Sequence, residues 1–169
     1  GCMDGIDLYF GTFAKSFVGI GGFTAGDAAV TDYIRYNSRP NVFAKSLPLI
    51  YVETAHRVLD IMAAEPERLS RAWDVAARLQ TGLRDLGFDL GNTESVITPV
   101  YIEAGNEEAA RDVVRFMREK EGIFLSAVTY PVVPRGVVLL RMTPTAAHTF
   151  DHVDRTLAAF ERLRAHLQG

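Results

Sequence analysis

The stretch Gly11-Thr-Phe-Ala-Lys15-Ser-Phe-Val-Gly-Ile-Gly21-Gly22-Phe-Thr-Ala-Gly26 carries more information than any other part of this chain. It sets a lysine directly after an apolar, strand-like run at residues 8–13, and a glycine-rich segment follows. A lysine held at a strand end, among small and apolar neighbours, is poorly solvated as an ammonium ion. Burial there favours its neutral amine. A neutral amine forms a Schiff base with an aldehyde, which is the chemistry that pyridoxal phosphate (PLP) uses.

Two plainer readings stand beside this one. Lys15 could be a solvated strand-end lysine, and the glycines could serve tight turns alone. A nucleotide P-loop is excluded. That motif needs a glycine directly before the lysine and another five residues before that glycine, and those positions hold Ala14 and Tyr9. Thr12, three residues before Lys15, places a hydroxyl where it could reach a phosphate.

Working outward, residues 7–13 read as a buried strand and residues 22–26 as a short strand beside it. Asp27 caps a helix running to about Tyr36. Residues 37–41, Asn-Ser-Arg-Pro-Asn, form a loop by composition. Helical spacing covers residues 49–64, through Ile50, Thr54, Val58, Ile61 and Met62. Pro66 opens another helix that reaches about Leu86 and ends at Gly87. From Ser95 the pattern changes. Residues 96–102 are a strand in which Pro99 suggests an edge or a bulge. Asn106 starts a helix with an apolar face of Ala109, Val113, Phe116 and Met117. Residues 123–128 and 137–142 are two more strands. Residues 151–167 form a terminal amphipathic helix, with Val153, Leu157, Phe160, Leu163 and Leu167 on one side.

With 169 residues the chain is long enough for a domain with a sizeable core. Its 48% hydrophobic and 23% charged content is that of a soluble globular protein. A net charge of −3, with no basic stripe, gives no electrostatic case for nucleic acid. The single cysteine, Cys2, excludes an internal disulfide and a multi-cysteine metal site, and a reduced, cytoplasmic setting is expected. No apolar run approaches the ~20 residues of a transmembrane segment, and no secretory signal is expected. His148 and His152 stand four apart but lack the adjacent glutamate of a zinc helix. His148 is expected to help start the last helix, and His56 and His166 to lie on helix surfaces.

Three blocks together resemble the α-oxoamine synthases, a family of PLP-dependent enzymes that includes serine palmitoyltransferase, 2-amino-3-ketobutyrate CoA ligase and 8-amino-7-oxononanoate synthase. The first is Thr12-Phe-Ala-Lys15-Ser-Phe with Gly21-Gly22-Phe-Thr-Ala-Gly26. The second is Arg39-Pro-Asn-Val-Phe-Ala-Lys-Ser46-Leu-Pro48. The third is Gly122-Ile-Phe-Leu-Ser-Ala-Val-Thr-Tyr130-Pro131-Val-Val-Pro134-Arg-Gly136, followed by Leu140-Arg141-Met-Thr-Pro-Thr-Ala-Ala-His148-Thr. They occur in family order and spacing, and the resemblance covers nearly the whole chain.

The resemblance implies an α/β fold: the C-terminal part of a fold-type I PLP-dependent transferase, with a small α/β domain of short sheet and packed helices. Residues 1–47 would end the large PLP-binding domain, 48–94 would be connecting helices, and 95–169 the small C-terminal domain. Lys15 would be the Schiff-base lysine and the base at the substrate Cα, and Thr12 a phosphate ligand. Ala14 stands where many relatives carry a serine. Residues 43–48 would approach the cofactor across a homodimer. Relatives often have a serine or threonine at Ala44 or Lys45, so Lys45 or Ser46 would replace it, or Lys45 is solvated. The Ala-Lys-Ser form is most similar to bacterial serine palmitoyltransferase-like members. Arg141 would bind the amino-acid carboxylate, the competing reading being a salt bridge within the domain. The implied reaction condenses an amino acid with an acyl-CoA. A class I/II aminotransferase, or a non-catalytic dimerisation or regulatory fragment, are the alternatives. In the family more than half of the catalytic chain precedes the lysine. The chain by itself is therefore expected to be inactive, with a poorly supported N-terminal portion and no tight PLP site.

Overall fold

The hairpin that carries Lys15 closes through glycines. In the computed structural model, which describes residues 3–103 and 106–168, β1 (Leu8–Thr12) pairs antiparallel with β2 (Gly22–Gly26). Leu8 lies opposite Gly26 and Thr12 opposite Gly22. Gly21 holds φ at +87°, a conformation that costs an L side chain and not glycine. A Cβ on Gly22 would sit 2.5 Å from the Gly11 carbonyl oxygen, so only a hydrogen fits there. The Phe13 N–H then donates to the Gly21 carbonyl at 3.0 Å and ties the turn. Gly1 and Cys2, the single cysteine noted above, lie outside the described residues.

By its contacts the chain forms two compact units, Gly1–Glu65 and Pro66–Gly169. In the first, α1 (Ala28–Asn37) follows Asp27, whose side chain makes no capping bond although its position is that of a cap. The segment read as a loop contains a short helix, α2 (Arg39–Phe43). Pro40 lies in its first turn, where the missing N–H removes no helical bond. The Asn41 side chain donates to the Arg35 carbonyl at 2.8 Å and joins α2 to α1. Helix α3 (Leu49–Ala64) has the predicted bounds. No described residue of this unit is buried. The strand expected to be buried is therefore exposed, Phe10 to 70%. The physical reason is that a two-stranded ribbon buries little of its own surface and this unit lays no second layer over it.

The second unit has a core. Helix α4 (Glu67–Asp85) turns Val75, Leu79 and Leu83 inward at four-residue spacing, and Gly87 at φ +82° ends it. A three-stranded antiparallel sheet follows, with β5 (Val137–Met142) between β3 (Thr98–Glu103) and β4 (Ser126–Val128). Pro99 sits on edge strand β3, the place a residue without an N–H tolerates. One sheet face buries Val100, Ile102, Val138, Leu140 and Met142. Helix α5 (Glu107–Arg115) is capped by Asn106, whose side-chain oxygen accepts the Ala109 N–H at 2.9 Å. It runs on into a π-helical turn, Phe116–Lys120. Strand β4 is shorter than the predicted 123–128. The Ile123 N–H is spent on the Met117 carbonyl at 2.8 Å, closing the helix end instead of joining the ladder. Helix α6 (Phe150–Gln168) buries Val153, Phe160 and Leu163, and Phe160 meets Phe88 edge to face at 5.2 Å. Buried Gln80 donates to the Ser95 carbonyl at 2.9 Å and to the Thr98 hydroxyl at 3.3 Å.

Glu121, its side chain only 9% exposed, meets Arg162 of α6 in a forked pair with Nε at 3.0 and 2.9 Å from the two oxygens. The guanidinium holds its carboxyl below the usual glutamate range. A depressed folded value stabilises the fold at pH above the unfolded carboxyl value, and that contribution is lost as pH falls through the folded one. Arg162→Met is expected to lower the melting temperature at pH 7, with a gap that narrows as the pH drops below about 4. Equal gaps at pH 7 and pH 3 would refute the pair's role.

Candidate active site

Thr12 ends β1, and its hydroxyl is already engaged by the turn. It accepts the Ala14 N–H at 3.2 Å and donates to the Gly21 carbonyl at 3.4 Å. Lys15 follows on the same turn. Its carbonyl accepts the Val18 N–H at 2.9 Å, while the Phe13 carbonyl accepts the Gly19 N–H at 2.8 Å. Between them Val18 sits at φ +50°, the left-handed region that a β-branched residue enters only under strain. The turn thus over-determines the backbone at Lys15 and leaves its side chain exposed. Among the described residues no carboxylate pairs with Lys15. The desolvation expected from its apolar neighbours is not supplied within this unit, because nothing in it covers the ribbon.

Lys45 and Ser46 lie in the extended segment between α2 and α3, both exposed. The Leu47 side chain lies over Gly21, where an added Cβ would come within 2.7 Å of it. This brings the Lys45–Ser46 segment against the hairpin turn inside the first unit.

Arg141 belongs to the second unit. It stands on central strand β5, opposite Pro99 on one side and Ser126 on the other. Because strand side chains alternate, Leu140 and Met142 enter the core and Arg141 emerges on the other face. It also lines a cavity of about 530 Å³, whose apolar wall includes Val75, Leu79, Leu125, Met142 and Val153, and whose polar side has Ser126 at the start of β4, Thr143 after β5, and His148, His152 and Arg155 around the start of α6. No Asp or Glu is among the lining residues. Among the described residues no carboxylate pairs with Arg141, as the internal salt bridge weighed above would require.

The sequence reading passed over Arg155 and weighed His152 only as a metal ligand. Helix α6 is started by Thr149 and His152, not His148. The Thr149 N–H donates to His152 Nδ1 at 3.2 Å, and the His152 N–H donates to the Thr149 hydroxyl at 3.3 Å. This is a capping box with histidine in the glutamate position, and the Thr-x-x-His spacing would have shown it. His148 instead closes the preceding turn, its Nδ1 accepting the Thr145 N–H at 3.0 Å. Among the described residues no group of three or more His, Cys, Asp or Glu could hold a metal ion. His166, read as a surface residue, bonds Asp112 at 2.8 Å and stacks on Phe116 at 4.4 Å between centroids. That bond, ahead of Arg115, holds the Asp112 carboxyl below its ordinary range.

A hairpin bearing Thr12 and Lys15, followed by the three helices α1 to α3 and by a small antiparallel sheet packed with α4, α5 and α6, is the fold of the C-terminal part of a fold-type I PLP-dependent transferase. The chain belongs to the aminotransferase class I and II family, whose model matches residues 1–160. It is 50% identical over 168 residues, 99% of its length, to a cysteate-C-fatty acyltransferase from Capnocytophaga ochracea, of which it covers 40%. It is 37% identical to a serine palmitoyltransferase from Sphingobacterium spiritivorum, over 96% of this chain and 40% of that one. The solved structure of Sphingomonas wittichii serine palmitoyltransferase superposes with a TM-score of 0.87 at 29% identity, covering 99% of this chain and 42% of that one. The chain thus spans about 40% of the length of the curated relatives it matches. No helix among the described residues is long and apolar enough to cross a membrane.

Proposed function

We propose that this chain is the C-terminal part of a PLP-dependent acyltransferase of the α-oxoamine synthase group, which joins an amino acid to a fatty acyl-CoA. The observation that carries the reading is Lys15: an unpaired, exposed amine on a turn whose backbone is locked, three residues after the Thr12 hydroxyl. That donor set fits a phosphorylated aldehyde. PLP, when bound, would supply an electron sink for the substrate's Cα. Lys15 would hold the cofactor's aldehyde carbon and carry the proton to and from the substrate Cα. The Thr12 hydroxyl would turn from the long Gly21 contact to a phosphate oxygen. Lys45 and Ser46 would meet the phosphate bound by a second copy, which makes the working unit a homodimer. Arg141 offers its planar fork to the amino-acid carboxylate. The relative at 50% identity is named for cysteate and a fatty acyl group, and these are the substrates proposed for the whole protein. A cytoplasmic location is proposed with them.

The test uses the full-length protein with PLP. CoA release should require both cysteate and a fatty acyl-CoA, and Arg141→Gln should raise the amino-acid KM about 10- to 100-fold. Transfer of an amino group to a 2-oxo acid without any acyl-CoA would favour the aminotransferase instead. A fully active monomer in sedimentation under assay conditions would remove the cross-subunit role of Lys45 and Ser46.

A further inference from the structure

The cavity beside Arg141 holds a second guanidinium, one more than a single carboxylate requires. Arg141, Arg155, His148 and His152 line it, with no Asp or Glu, in a chain whose net charge is −3. Arg155, like Arg141, has no carboxylate partner among the described residues. The acid beside it on α6, Asp154, is taken by Arg78 of α4 through bonds of 2.7 to 3.0 Å. Asp151, one turn before Arg155 on the same helix, makes no ion pair with it, so the charge of Arg155 is not neutralised from its own helix.

The two histidines add donors. In each ring Nδ1 accepts a backbone N–H, from Thr145 for His148 and from Thr149 for His152. A nitrogen that accepts an N–H carries no proton, so the neutral ring carries its proton on Nε2. The two rings meet edge to face, 6.0 Å between centroids, and each keeps an Nε2–H donor. His152 and Arg155 are three residues apart on α6, on one helix face. The first turn of α6 adds the partial positive charge of a helix N-terminus to the same wall.

We propose that Arg155, assisted by the Nε2–H donors of His148 and His152, binds a second acidic group of the amino-acid substrate. The site would then select amino acids with a sulfonate or carboxylate on the side chain over neutral ones. This rests on the reading of Arg141 as the ligand of the α-carboxylate. Arg141 comes from the sheet and Arg155 from the helix, so two anionic groups on one small molecule meet separate guanidiniums. A neutral side chain leaves Arg155 to water and gains nothing from it. The acyl-CoA also carries anionic groups, its phosphates, and the experiment separates the two sources.

In the full-length PLP-loaded protein, calorimetric titration with L-cysteate, L-aspartate, L-alanine and CoA gives the affinities directly. L-cysteate should bind at least about 10-fold more tightly than L-alanine, the order of one charge-assisted hydrogen bond. Arg155→Gln should weaken L-cysteate about 10- to 100-fold and leave L-alanine and CoA within about twofold, and Arg155→Lys should restore part of the loss. Arg141→Gln should weaken L-cysteate and L-alanine alike. Unchanged L-cysteate affinity in Arg155→Gln, an equal loss for L-alanine, or a loss confined to CoA each overturns the proposal, while the Arg141 reading stands. Unchanged L-alanine affinity in Arg141→Gln overturns the Arg141 reading, and this proposal with it.

Discussion

Replacing Lys15 with alanine in the full-length protein is expected to lower turnover by roughly 10²–10⁴-fold or more, the span of a removed general base. No other described lysine belongs to its hairpin turn. The loss should fall on kcat, since Arg141 and the cavity in the second unit remain intact. Borohydride reduction of the PLP-loaded protein, followed by peptide mapping, should place the label on Lys15. A label on Lys45, or on no lysine, would sink the assignment. In this chain by itself, where Lys15 is exposed and unpaired, Lys15→Ala should melt within a degree or two of the parent, on the order of ±0.5 kcal/mol. A large loss of stability would mean that the lysine holds the turn together.

Phe160→Ala is expected to cost about 3–5 kcal/mol, the usual range for emptying a buried aromatic site. Phe160 is fully buried, touches Phe88 edge to face, and sits among Leu83, Met117, Leu140 and Leu163. Such a cost is a large share of the total stability of about 5–15 kcal/mol usual for a domain. Phe10→Ala is the contrast. Phe10 is 70% exposed on β1 and should cost within about 0.5 kcal/mol in this chain. Denaturant titration of the two variants compares them directly. Near-equal costs would overturn the view that the core lies in the second unit.

Much of the local structure was legible because its causes are local. Helix α3 came out at its predicted bounds since its apolar spacing is regular and Pro48 precedes it. Asn106 reads as a cap and is one, because a short polar side chain reaches an N–H three residues on. Pro99 suggested an edge strand for a similarly local reason, its missing N–H. The readings that failed depended on neighbours distant in sequence. Residues 7–13 look like a buried strand, yet nothing in their unit covers them. Residues 123–125 look like strand, yet Ile123 spends its N–H on the end of the preceding helix.

The sequence by itself determined the positions of the longer helices and of the hairpin, the family resemblance, and the residue types offered to a cofactor, though not the short helix α2. Spacing and side-chain chemistry are enough for that, since turns, caps and amphipathic faces are decided within a few residues. Only the tertiary structure decided which charges are left unsatisfied. Asp154 lies next to Arg155 in sequence but pairs with Arg78, 76 residues away along the chain. Glu121 pairs with Arg162 across 41 residues. Arg141 and Arg155 come to one cavity wall from a strand and a helix, with no acid to meet them. Charge pairing acts through space over a few ångströms, so proximity along the chain does not determine it.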